Sequence, residues 1–148
     1  VLISGIAVAA VILLIVLVSS FCKSGGRFEM AGPESDEFKA YASNIKVELV
    51  DKLWGERELG KVVKYARLIC HVTNTGDKRL VGLQLKGTAI GMSNEVLREK
   101  VITYIPGPHR ELESGERIRV ELSMEPIPDV STIQDFKVEV VGLKVETD

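Results

Sequence analysis

Residues 117–124 read Arg-Ile-Arg-Val-Glu-Leu-Ser-Met, an unbroken alternation of polar and apolar side chains. Successive side chains of a strand point to opposite faces, so Ile118, Val120, Leu122 and Met124 form one buried stripe. Ser114-Gly115-Glu116 precedes this run and Pro126 and Pro128 follow it, which is turn chemistry on both sides. The same period of two recurs outward in both directions. Ile45, Val47 and Leu49 alternate with Lys46, Glu48 and Val50; Ala66, Leu68, Cys70 and Val72 alternate with Arg67, Ile69 and His71; Val81, Leu83 and Leu85 alternate with Gly82, Gln84 and Lys86. Val96 to Ile105 makes a further strand centred on Val101 and Ile102. In the last run Phe136, Val138 and Val140 give way to Val141, Leu143 and Val145, a phase slip that predicts a bulge near Val140 to Gly142. Asn74-Thr75-Gly76-Asp77 and Gly91-Met92-Ser93-Asn94 supply turns, and Pro106-Gly107-Pro108 opens a longer loop. About seven short strands with no long helical pattern between them predict an all-β fold, a two-sheet antiparallel sandwich over residues 45–148.

The beginning of the chain has another character. Of the first 22 residues 18 are apolar and none is charged, so all 40 acidic and basic residues of the 148 lie beyond them. A helix of about 20 apolar residues spans the roughly 30 Å hydrocarbon core of a bilayer, and residues 1–22 are expected to be one transmembrane helix. A signal peptide would carry a shorter apolar core and a small-x-small cleavage site, whereas Phe21 and Cys22 precede Lys23 here. Phe21 also occupies the place where lipidation of Cys22 would need a small residue. Phe21 and Lys23 are placed at the membrane interface. Gly5 and Ala9 have the small-xxx-small spacing that lets two membrane helices approach closely. Residues 23–44, with Ser24-Gly25-Gly26 and Gly32-Pro33, read as a linker. Acids at Glu34, Asp36 and Glu37 favour a short helix there, with Phe38 and Tyr41 on one face. Lys23 and Arg27 alone would vote for a cytoplasmic domain; an anchor preceding a compact domain favours a periplasmic or extracellular one.

Composition and motifs exclude more than they assign. A formal net charge of −2 and 5% aromatic residues leave no basic surface or stacking stripe for nucleic acid. Cys22 at the membrane boundary and Cys70 on the apolar face of a strand, with His71 and His109, lack the clustered spacing of a zinc site. Cys70 and His71 are adjacent on a strand and therefore point apart, which forbids a dyad. No glycine-rich phosphate loop, calcium loop or telling pair of carboxylates occurs, so no catalytic residue, cofactor, metal or small-molecule substrate is expected. Trp54, followed by Gly55, Glu56 and Arg57, is read as a cap on the sandwich edge. The loop of Pro106, Pro108, His109 and Arg110 is the candidate partner contact, because rigid prolines present His and charge in an exposed loop.

From Arg67 to Glu121 the order of features has a parallel. A strand ends in Val72-Thr73-Asn74-Thr75-Gly76, Leu80-Val81-Gly82-Leu83-Gln84-Leu85 follows, and Leu112-Glu113-Ser114-Gly115-Glu116 introduces the next strand. This resembles the bacterial immunoglobulin-like FxLYD-type accessory domains, with Gly87-Thr88-Ala89-Ile90-Gly91 near the place of their naming motif. The resemblance implies a non-catalytic, immunoglobulin-like domain outside the cytoplasm, carried on a single membrane helix. The expectation is a non-enzymatic single-pass protein, in contact with lipid, whose sandwich is an accessory subunit docking on integral-membrane partners. The alternative is a pilin-like filament or secretion-apparatus subunit, whose hydrophobic helices bundle in a core.

Overall fold

The computed structural model describes residues 29–58 and 60–147. The expected membrane helix, with Gly5, Ala9, Phe21, Cys22 and Lys23, lies outside them. Among the described residues no helix is long and apolar enough to cross a membrane.

Six strands carry the fold: β1 (Ile45–Glu58), β2 (Val62–Asn74), β3 (Leu80–Gly91), β4 (Val96–Ile105), β5 (Arg117–Met124) and β6 (Ile133–Val145). They form two antiparallel three-stranded sheets, β1-β2-β5 and β4-β3-β6. The architecture is all-β, as the alternating runs require. Six strands form where about seven were expected, and Phe136 to Val145 runs as one strand through its bulge, as its phase slip predicts. There Gln84 pairs with Gly142 and Leu85 with Val140, which leaves Val141 out of register.

The core lies between the sheets. Leu68, Cys70 and Val72 of β2 and Val120, Leu122 and Met124 of β5 are fully buried, facing Leu83, Leu85 and Ala89 of β3. Each such aliphatic side chain contributes about 1.5–3 kcal/mol on burial. Gly87 sets the closeness of the layers: a Cβ there would stand 2.8 Å from Leu122 and 3.1 Å from Met124. Two runs depart from their simple reading. A register shift between Leu80 and Gly82 puts Leu80 into the core and leaves Val81 half-buried. In β1 the shift falls between Leu49 and Asp51. Leu49 lies opposite buried Cys70, but beyond the bulge it is Lys52 and Trp54 that lie opposite buried Leu68 and Ala66.

The short helix expected after Pro33 forms as α1 (Asp36–Tyr41), with the Ser35 hydroxyl accepting from the Phe38 N–H. It is packed on the sandwich and is no free spacer. Ala31 exchanges backbone hydrogen bonds with Leu143 at 2.7 and 3.0 Å, and a Glu37 carboxylate oxygen accepts from the Val145 N–H. Tyr41 is buried, and its hydroxyl accepts from the Lys78 N–H at 2.9 Å. The same hydroxyl lies 2.7 Å from the Lys78 carbonyl and 3.0 Å from the Asn74 carboxamide oxygen, the two acceptors within reach of its single proton. Asn74, fully buried, donates to the carbonyls of Lys78 and Leu112 and accepts from the Gly76 N–H. A buried polar group without partners costs about 1–3 kcal/mol; here every one is satisfied, by three segments at once.

Antiparallel order sorts the connections into two ends. The proximal end, where residues 31–44 join, holds the turn 75–79, the loop 106–116 and the end of β6. The distal end holds the β1–β2 hairpin tip, the turn 92–95 and the segment 125–132 that leads into β6.

Candidate functional site

The partner loop anticipated from the prolines stands at the proximal end, and its parts differ in freedom. Pro106, Pro108 and Arg110 are exposed, while His109 is half-buried. The His109 ring stacks on Tyr104 with centroids 5.7 Å apart, and the His109 backbone N–H donates to the Tyr104 carbonyl. Tyr104 in turn donates its hydroxyl to the Arg119 carbonyl at 3.0 Å, an atom of β5, so the loop hangs on a bond between the sheets. Burial raises the Tyr104 pKa, with the Cys70 and Glu121 charges adding to it. Leu112, further along the loop, is fully buried and exchanges backbone hydrogen bonds with Leu80. The loop is therefore a fixed surface with two prolines and one arginine outward.

The distal end carries a feature the sequence reading placed differently. Trp54 does not cap the sandwich edge: it is 54% exposed. It sits well inside β1, where the strand runs on to Glu58 and turns back as β2 beyond the last residue paired to β5. Its ring, with Val50, Val130, Ile133 and Phe136, lines a groove of about 360 Å³ between the β1 edge and the start of β6. A second depression of about 240 Å³ shares Trp54 and Val130. The bulge at Val50 is what creates this wall, because it turns Trp54 toward β6.

Ion pairs hold the hairpin against the 125–136 segment. Lys52 pairs with Asp135 at 2.7 Å, Lys64 with Asp129 and Glu56, and Arg57 with Glu125. The Ile127 N–H donates to the Lys64 carbonyl, and Ile127 is buried. The Lys64 ammonium, helped by the Ser131 N–H and hydroxyl, holds the Asp129 carboxyl well below the usual carboxylate range. Lys52, helped by the Phe136 N–H, lowers that of Asp135. No family model matches this chain, and no curated protein or solved structure matches it significantly.

Cys70 is fully buried, which pushes its thiol up to about 11 and away from the thiolate that reacts. His71 lies on the other face of β2, its Nδ1 accepting from Arg117 at 2.6 Å, and Arg117 also donates to Glu48. The expectation that no Cys-His dyad forms agrees with this geometry. A polar depression of about 500 Å³ beside Arg79 is lined by Glu113 and Glu146, and these with Glu111 lie within 3.4 Å of the guanidinium. Among the described residues no group of three or more His, Cys, Asp or Glu is placed to hold a metal.

Proposed function

We propose that this chain is a non-enzymatic, single-pass membrane protein whose β-domain is an accessory subunit docking on a larger membrane protein complex. We take the sandwich as immunoglobulin-like and its place as the periplasmic or extracellular side. The observation that carries the reading is the uncharged apolar run of residues 1–22 followed, nine residues after Cys22, by Ala31 bound to β6. Such a chain has an anchor, almost no free linker and a small domain with an outward groove. The exposed Trp54 supports the docking part, because large aromatic side chains at a surface mark contact sites. Gly5 and Ala9 would bring the anchor against a helix of the partner.

Blue-native electrophoresis of detergent-solubilised membranes, with mass spectrometry of the band, tests this. The chain is expected in an assembly with integral-membrane proteins, and Gly5→Leu is expected to weaken their co-purification. Migration as a lone 16.3 kDa species would overturn the reading, and a large homopolymer would favour a filament subunit instead.

A further inference from the structure

The groove at Trp54 has an electrostatic setting that narrows what fits it. The two depressions that share Trp54 are lined by four acidic residues, Asp51, Glu56, Asp129 and Asp135, against two basic ones, Lys52 and Lys64. Both bases are engaged with carboxylates of the same lining, whereas Asp51 has no cationic partner among the described residues. The groove is therefore an apolar slot with an acidic rim.

We propose that this groove docks a partner polypeptide presenting a large apolar side chain flanked by lysine or arginine. The proposal rests on the accessory-subunit reading and names the docking end and the chemistry of the partner. Complementary charge on the rim sets orientation and speeds encounter, while the buried aromatic anchor supplies most of the affinity. Strand addition to the β1 edge is disfavoured, because the bulge at Val50 and the inward-turned Lys52 are both devices that block an edge. The contact is thus made by side chains. A second copy of the chain would bring an acidic rim against another of the same sign. The chain's own apolar segment, residues 1–22, carries no charge to complement the rim.

Trp54 is the single tryptophan of the chain, so its emission reports the groove directly. Full-length protein in neutral-detergent micelles is titrated with a tryptophan-free Leu/Lys amphipathic peptide and with its Leu/Glu counterpart. A saturable blue shift with the Leu/Lys peptide is expected, at least about tenfold weaker with the Leu/Glu peptide and weakened by salt. Labelled-peptide anisotropy should show about tenfold weaker binding for Trp54→Ala, a smaller loss for Asp51→Asn, and near-normal binding for Trp54→Phe. Equal response to both peptides, or none to either, would overturn the proposal. So would a shift on concentrating the protein alone, which points to a second copy, or on adding phosphatidylcholine vesicles, which points to a bilayer. In membranes, an assembly that survives Trp54→Ala with Asp51→Asn would remove this groove and leave the accessory-subunit reading standing. A wild-type chain that enters no assembly would remove that reading itself.

Discussion

At the scale of single residues, the buried polar positions do what the apolar pattern cannot. Tyr41 and Asn74 meet across 33 residues, and Gly76 is the point where the two could not meet if a side chain were present: a Cβ there would overlap the Tyr41 hydroxyl. Tyr41→Phe removes one donor and acceptor from a satisfied cluster and is expected to cost about 1–3 kcal/mol, read from urea unfolding midpoints. Cys70 gives a second residue-scale expectation. With its thiol pushed up to about 11 by burial, it should resist a maleimide at pH 8 in the native state of a Cys22→Ser chain and react on addition of denaturant. Native labelling at the rate of a free thiol would contradict the burial. The sequence shows Asn74-Thr75-Gly76-Asp77 as a turn, and it is one. That Asn74 is also the fully buried hub of three segments is a long-range fact, and turn chemistry carries no record of distant partners.

Among the elements, the strands with regular alternation were legible from the start. β5 pairs without a register shift, and all four of its expected core residues are buried. The bulge near Val141 was legible too, because it leaves a visible slip between two apolar phases. The bulge at Val50 was not: Leu49 and Val50 are both apolar, so either could be the inward one, and the polar residues beyond looked like a strand ending. With that phase lost, Trp54 read as a cap and the groove could not be seen. The β1–β2 hairpin is also the element whose attachment should depend on pH. Asp129 and Asp135 have depressed pKa values in the folded chain, so they stabilise above the unfolded carboxylate value of about 3.9. That contribution is lost as pH falls through the folded values. The stability difference between the wild type and Asp129→Asn is thus expected to be largest near neutrality and to shrink below about pH 4. Because these pairs are exposed, 1 M salt should also diminish it. Denaturation midpoints at pH 7 and pH 3 check the sign.

For the molecule as a whole, the boundary between lead-in and domain belongs earlier in the chain than the alternating pattern suggests. The strands begin at Ile45, but Ala31, Phe38 and Tyr41 pack against the common core. A fragment starting at Glu29 is therefore expected to unfold in one cooperative transition. One starting at Ile45 should melt several degrees lower, since about 1 kcal/mol shifts a domain of this size by roughly 4–8 °C; circular dichroism melts of the two fragments decide it. Equal melting temperatures would show that the lead-in only rests on the surface. The pairing of Ala31 with Leu143 has one more consequence, a mechanical one. The chain runs antiparallel to β6 there, so the segment leading into Ala31 enters from the proximal side, and a pull on it acts along the strand axis. The two bonds between Ala31 and Leu143 then take the tension together, in shear, and β1 receives none until they fail. Force arriving through the N-terminal segment is delivered first to β6, while the hairpin bearing Trp54, in the other sheet, stays slack.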